Sequence, residues 1–469
     1  MSESVKRSSF GALPVICVLT APLVLAVLLA APATAESNAA TAEAPVEAGA
    51  DGSSGGASGD DSASARMEVE LQEAAPSRGS DVMSKLQVHG FLTQAWAEAD
   101  FLEVEVGMRP PPPFGPGGVG PLGGSPNGSE ISRGIPEDGT TDYRFLALQF
   151  RYQISPKDTF VVQFSSRALG FSTIQEFEDD IELDWAFYER RITDDTRLKV
   201  GRVQIPFGIY NEIRDVGTVL PFYRPSFVHY KESSFTSETV DGLSFGHKFF
   251  SQSDWNLDIT LFGGEWESIE FVPGQPQVSG PVPQENGYGF QLWLRTPLPE
   301  LRIGAGLLSF RQGNSPFPFE AQERRDVFHA SLDATFNRFT IQAEWDEEET
   351  DLLFNTIPIT TTTTNWYVLA GLRITEKFRV WAQFERAEFE QQSITFLNDS
   401  FNYDGISDAG VALNYYFTPA LVLKGEYHWI EGENFTLFPD LSTGALLLRP
   451  QVFSYDNGSY SIVALSVSF

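Results

Sequence analysis

The chain of 469 residues carries 63 acidic and 32 basic side chains, which gives a formal net charge of −31. A surface this acidic repels nucleic acid, so we exclude nucleic acid as a partner. The single cysteine, Cys17, lies in an N-terminal apolar segment, so the remainder forms no disulfide and no thiolate metal site. No H-E-x-x-H, G-x-S-x-G, P-loop or EF-hand pattern occurs either, and we therefore expect no enzyme, no metal site and no cofactor.

Residues 1–35 have the pattern of a cleaved secretory signal peptide. Lys6 and Arg7 precede an apolar run over residues 11–31, and the run ends at a small-residue cleavage motif, Ala33-Thr34-Ala35. An uncleaved inner-membrane anchor is the alternative. Residues 36–85 are rich in small and acidic residues and predict a disordered acidic linker, with the pattern for one short helix around residues 65–75.

Residues 86–469 alternate apolar and polar side chains over many short segments. In residues 144–154, Leu146 and Leu148 fall on one face while Ala147, Gln149 and Arg151 fall on the other. Period-two alternation predicts strands with one apolar and one polar face. The predicted strands are 86–100, 143–154, 159–167, 181–192, 197–208, 240–250, 255–266, 287–297, 301–311, 326–336, 339–346, 366–374, 377–389, 407–417, 420–430 and 459–469.

A soluble β-sandwich has the same alternation as a membrane barrel. The connections between the strands distinguish the two folds. Short turns, such as residues 155–158 and 337–338, alternate with long polar or Pro/Gly-rich loops. Short turns at one rim and long loops at the other are typical of a transmembrane barrel. The long loops are predicted at 101–140, 209–238, 267–286, 347–364, 390–405 and 431–454, which interprets the acidic run over 346–351 as solvated loop. We therefore predict an all-β fold, a 16-stranded antiparallel transmembrane β-barrel with an aqueous lumen.

Three segments resemble the Gram-negative outer-membrane porin superfamily, which includes phosphate-selective members. Residues 199–212, KVGRVQIPFGIYNE, resemble the strand that enters the third loop of proteobacterial porins, and residues 86–92 are similar to their first strand. The chain also ends on an alternating strand whose last residue is Phe469, an aromatic that in such proteins is associated with barrel assembly. The resemblance implies an outer-membrane location, contact with outer-membrane lipid, recognition by the barrel assembly machinery, and a homotrimer. It also implies one pore per barrel, with a third loop folded inward.

Two groups of residues are candidates for the pore. The loop at 209–238 is the third long loop and has charges of both signs, which suits a constriction, although an ordinary solvated surface loop is the alternative. Its charged residues are Glu212, Arg214, Asp215, Arg224, Lys231 and Glu232. A ladder of basic residues facing the lumen is predicted at Arg151, Arg167, Arg190, Arg202, Arg373, Arg379 and Lys424.

The predicted function is a passive diffusion channel for small hydrophilic solutes or ions. Two alternatives stay open: a channel selective for phosphate or another small anion, and a surface-exposed adhesin whose loops bind partners. The basic ladder favours the anion channel, whereas the acidity of the whole chain does not.

Overall fold

The computed structural model describes residues 83–100, 103–107, 135–170, 181–230, 238–271, 278–313, 321–354, 357–392, 401–440 and 447–469. The predicted signal peptide and almost all of the predicted linker lie outside these residues. Within them, no helix is long and apolar enough to cross a membrane.

The described residues are almost entirely β-structure, with helix confined to single turns. The strands are β1 (Leu86–Asp100), β2 (Glu103–Gly107), β3 (Thr140–Ser155), β4 (Asp158–Leu169), β5 (Glu182–Arg191), β6 (Thr196–Gln204), β7 (Thr239–Phe249), β8 (Asn256–Phe271), β9 (Val278–Arg295), β10 (Leu301–Gln312), β11 (Ala321–Phe336), β12 (Phe339–Phe354), β13 (Ile357–Thr375), β14 (Phe378–Gln392), β15 (Phe401–Thr418), β16 (Leu421–Asp440) and β17 (Leu447–Ser468). The helical turns are Met83–Lys85, Asn211–Ile213 and α1 (Phe227–Tyr230).

The strands close into a barrel. Each strand from β3 to β17 pairs antiparallel with the next, and β1 pairs with both β3 and β17. β2 pairs with β17 just beyond the stretch that pairs with β1, so β1 and β2 occupy one position in the barrel. The result is the predicted 16-stranded antiparallel barrel, in which closure leaves no backbone edge exposed to lipid.

The predicted faces are confirmed by side-chain exposure. Leu146 and Phe328 are 46% and 45% exposed on the outer face, whereas His329 and Glu344 are 1% and 2% exposed on the inner face. Large apolar side chains therefore face outward, where lipid would surround them, and polar ones face the lumen.

Several predicted long loops are wrong in part, because the strands continue through them. β12 and β13 pair along residues 347–354 and 357–364, which were predicted as loop, and the ladders β8–β9, β14–β15 and β16–β17 extend in the same way. The first loop likewise contains β2. These segments lack the apolar–polar alternation that would mark them as strands in the sequence. Backbone pairing does not need alternation, and β-branched residues such as those of the run Thr360–Thr364 favour it.

Candidate functional site

The third loop leaves β6 and turns into the barrel. β6 ends at Gln204, earlier than predicted, because Pro206 has no N–H to donate to a neighbouring strand. Gly208 then takes a φ of +63°, and a Cβ there would lie 2.6 Å from an oxygen of Glu344 on the lumen wall. Only glycine fits this positive φ and close approach, so the local sequence directs the chain inward.

Glu344 on β12 is the main anchor of the loop. Its carboxylate accepts hydrogen bonds from the Ile209 backbone N–H at 2.9 Å, the Tyr367 hydroxyl at 2.6 Å and the Ser331 hydroxyl at 2.6 Å. The Tyr230 hydroxyl, at the end of α1, donates to the same carboxylate. Burial and the charge of Glu344 raise the pKa of Tyr230 well above its ordinary value, so this hydroxyl keeps its proton. A buried carboxylate with several donors is a strong, directional contact.

Further contacts join α1 to the same wall. The His229 Nδ1 atom lies 2.6 Å from the Asp346 carboxylate, which also accepts a bond from the Asn365 amide at 2.7 Å. The Phe227 N–H donates to Glu385 at 2.9 Å. These inward carboxylates on β12 and β14 therefore hold the second half of the loop.

The middle of the loop contacts another part of the wall, formed by β15, β16 and β17. The Lys424 ammonium on β16 donates to the Phe222 carbonyl at 2.7 Å, and the Asn414 amide on β15 donates to the Pro221 carbonyl at 2.9 Å. The Thr218 hydroxyl donates to Ser468 on β17 at 3.3 Å. The loop crosses the lumen, because the Gln163 amide on β4, eight strands from β12, donates to Asp215 at 2.8 Å.

Apolar packing accompanies these polar contacts. Ile205, Ile213 and Leu220 of the loop are buried in one cluster with inward aromatic side chains that include Trp185 and Trp381. The prediction of an aqueous lumen without a packed core is therefore wrong for this part of the barrel. A sixteen-stranded barrel leaves space for water only where no loop fills it.

Charged side chains of both signs meet where the loop passes β4. The Arg167 guanidinium lies 2.6 Å from the Glu238 carboxylate and 3.4 Å from that of Asp215, and Arg214 lies 3.2 Å from Glu238. Burial raises the pKa of Asp215 well above its ordinary value, and the charges of Asp184 and Glu238 raise it further. Burial alone would raise the pKa of Glu238 too, but Arg167 and Arg214 lower it to about 2.

An open cleft lies beside this charged group. Its lining includes Arg167, Arg214, Asp215 and Arg224 together with the aromatic side chains of Phe145 and Tyr223. The Arg224 guanidinium lies 4.8 Å from the centroid of the Tyr143 ring. Both signs of charge therefore border open space between the loop and the wall.

The predicted loop residues lie in different environments. Arg214 and Asp215 belong to the charged group and Arg224 lines the cleft, whereas Glu212 is exposed, with Lys199 3.9 Å away. Lys231 and Glu232 lie outside the described residues.

Five of the predicted lumen bases share the inward register face of their strands. Arg151 pairs with the buried Val161. Arg373 is an even number of residues from buried Tyr367 and Leu369, so it lies on their face of the strand. Arg379 likewise lies two residues from buried Trp381. The other two are Arg167 and Lys424, which contact the loop.

The prediction that Arg190 and Arg202 face the lumen is wrong, because both lie on the outward face of their strands. Arg202 donates hydrogen bonds to Asp241 at 2.8 and 2.9 Å. It lies on the same face of β6 as Val200, two residues before it, which is 48% exposed. Arg190 forms an ion pair with Asp158 at 2.8 Å. These two residues lie two positions from the strand pair Tyr188 and Phe160, and Phe160 is exposed, so Arg190 is on the outward face. An ion pair and a place towards a strand end make an outward arginine tolerable, and charge alone does not assign a residue to the lumen.

Sequence reasoning missed the residues that hold the loop. Glu344, Asp346 and Glu385 were assigned to a polar strand face or a solvated loop, and His229 was given no role. The only signal in the sequence is a carboxylate at successive inward positions. That pattern does not show whether the carboxylate contacts water or hydrogen-bonds to a loop. Asp184 was also missed, because it occupies a β-bulge opposite Gln163 and Phe164.

Comparisons with known proteins support the fold. No family model and no curated protein sequence matches the chain. Among solved structures, OmpT of Vibrio cholerae, expressed in the outer membrane, aligns with a TM-score of 0.50 at 11% identity, over 83% of this chain and 99% of that one. A trimer form of the same protein aligns with a TM-score of 0.50 at 10% identity, over 82% and 99% of the two chains. The outer-membrane channel DcaP of Acinetobacter baumannii aligns with a TM-score of 0.46 at 10% identity, over 82% and 97%.

At identities this low, the structural likeness establishes the architecture and does not identify a solute. Closure of the strands into a sixteen-stranded antiparallel barrel agrees with the likeness to OmpT of Vibrio cholerae. The chain therefore has the fold of that outer-membrane protein.

Proposed function

We propose that this barrel is a passive diffusion channel for small hydrophilic solutes and ions, with the third loop as its constriction. The observation that carries the proposal is the attachment of that loop inside the lumen, through Glu344 on β12 and, across the barrel, through Gln163 on β4. A loop fixed across a wide barrel narrows the path and leaves the strands closed. Solute size would then be limited by the loop and not by the barrel diameter.

The charges beside the loop support hydrophilic solutes. Arg167 and Arg214 face Asp215 and Glu238 at the border of the cleft. Opposed charges at close range produce a local field, which orients dipolar solutes and disfavours apolar ones. An ion that passes would lose part of its hydration and find partners of either sign.

A preference for small anions is the second candidate. Guanidinium groups bind carboxylate and phosphate well, and four arginines line the cleft: Arg144, Arg167, Arg214 and Arg224. Against it, Arg167 and Arg214 already contact carboxylates. A surface adhesin has no feature among the described residues that favours it over a channel. The absence of enzymatic activity stays a prediction.

We further propose a homotrimer in the outer membrane. The trimer form reported for OmpT of Vibrio cholerae supports this assembly for a barrel of the same architecture. Analytical ultracentrifugation in detergent tests it, and a single species of monomer mass would contradict it.

Conductance in planar bilayers tests the channel. We expect discrete single-channel steps from the wild-type barrel, and a several-fold larger conductance after deletion of residues 216–233. Deletion of residues 110–130 in the first long loop is the matched control and should leave the conductance unchanged. Folded protein without any conductance would contradict the channel and favour the adhesin. A wider pore after the first-loop deletion alone would contradict the assignment of the constriction. Reversal potentials in a salt gradient separate the anion channel from an unselective one.

A further inference from the structure

Two carboxylates from different parts of the fold meet at the constriction. The β-bulge in β5 aims the Asp184 side chain into the lumen, next to Asp215 of the third loop. The Gln163 amide on β4 donates to both, at 2.9 Å to Asp184 and 2.8 Å to Asp215. Together with Glu238, their oxygen atoms lie within 4.8 Å of one another.

Both carboxyl groups accept a hydrogen bond from the same Gln163 amide nitrogen, so their oxygen atoms lie side by side. Like charges at this separation disfavour a second ionisation, and the pair then titrates as a unit.

The surrounding charges account for one bound proton. Arg167 on β4 and Arg214 on the loop face three carboxylates, those of Asp184, Asp215 and Glu238. The low pKa of Glu238, about 2, keeps that group ionised. Two positive charges then balance Glu238 and one negative charge on the pair.

Two further arginines line the cleft, and each has another partner: Arg144 is paired with Asp142, and the Arg224 guanidinium lies over the Tyr143 ring. Arg202 acts on Asp184 from the outer face, but it is bonded to Asp241. β1 and β17 present neutral hydroxyls, those of Thr93 and Ser466, to the neighbouring Gly217.

We propose that Asp184 and Asp215 share one proton and that this pair determines the ion preference of the constriction. With the proton bound, the group of five charged residues is neutral. Loss of the proton leaves one net negative charge beside the cleft, which favours cations. This inference rests on the proposed channel function and adds a pH-dependent selectivity to it.

The direction of the pH dependence follows from burial. The pKa of Asp215 is raised above its ordinary value, so the shared proton stays bound below the pH at which the pair titrates. It is lost as the pH rises through that point. The loop contact with β5 weakens at the same point, because the two carboxylates then repel each other.

Reversal potentials measured from about pH 5 to about pH 9 test the proposal, in a chelator that keeps divalent cations from replacing the proton. The wild type should show a step of about twofold in the cation-to-anion permeability ratio as pH rises. Asp215→Asn should abolish the step, because an amide donates a hydrogen bond without titrating. Glu212→Gln, at an exposed carboxylate of the same loop, is the matched control and should retain it.

Asp184→Asn is the second variant and should also abolish the step, so the test does not depend on one variant folding. Infrared spectroscopy of the wild type at neutral pH gives an independent measurement, since it should show a protonated carboxyl band that Asp215→Asn lacks. A channel that conducts without the step, or a step that persists in both asparagine variants, would overturn the shared proton. A folded wild type that does not conduct would instead reject the channel function.

Discussion

The ring of Phe469, the last residue of the chain, covers Gly90 on the first strand. A Cβ atom at Gly90 would lie 2.1 Å from the Cζ atom of this ring, closer than any real contact. The two backbones also exchange hydrogen bonds, at 2.9 Å from the Gly90 N–H and 3.0 Å from the Phe469 N–H. The terminal aromatic therefore packs on the seam where the first and last strands close the barrel.

A side chain at position 90 should displace the ring and weaken the seam. We expect Gly90→Val to lower the folding yield, since overpacking costs about 1–3 kcal/mol. Gly425→Val is the matched control, because no atom lies within 4 Å of the Cβ position there. The folded fraction is measured by heat-modifiable migration in gels. If Gly90→Val costs as much in a Phe469→Ala background as in the wild type, the ring and the glycine are not coupled.

Removing the charge of Glu344 should loosen the third loop. Glu344→Gln replaces a carboxylate that accepts four hydrogen bonds, and each bond to a charged group contributes about 1.5–3 kcal/mol. We expect noisier open-channel currents and trypsin cleavage within the loop, for example after Arg214. Glu347→Gln, at an exposed residue on the outward face of the same strand, should change neither. Equal protease resistance of the two variants would show that Glu344 does not anchor the loop.

The outer and inner faces of β3 should tolerate charge differently. Leu148 lies on the outward face with Leu146, whereas Gln149 points inward and bonds to Gln163 at 3.2 Å. An arginine among lipid chains at the bilayer midplane costs about 2–4 kcal/mol, while the lumen is polar. Leu148→Arg should therefore fold in lower yield than Gln149→Arg when both are refolded into vesicles. Similar yields would contradict the register.

Two arginines that the sequence grouped together should differ in their effect on permeation. Arg151 lies on the inward face, so Arg151→Ala should shift the reversal potential towards cation preference. Arg202 lies outward and is paired with Asp241, so Arg202→Ala should leave the reversal potential unchanged. Charges outside the lumen are screened beyond about 8 Å at physiological salt. A shift caused by Arg202→Ala alone would contradict this placement.

The amino-acid sequence determined the barrel. Alternation such as that of Leu146 and Ala147, the sequence of short turns, and the count of strands follow from local chemistry. Each strand presents apolar side chains on one face and polar side chains on the other, and a turn needs only a few residues of suitable conformation. The lengths of several strands were underestimated, because backbone pairing continues through segments that lack the alternation.

The tertiary structure alone decided the contents of the lumen. Glu344, Asp346 and Lys424 are ordinary inward polar residues in the sequence, and they become anchors only because the loop passes within hydrogen-bond distance. Asp184 faces Asp215 only because a bulge shifts the register by one residue. Alternation fixes the side of a strand on which a residue lies, whereas partners far apart in the chain are set by the path of the loop.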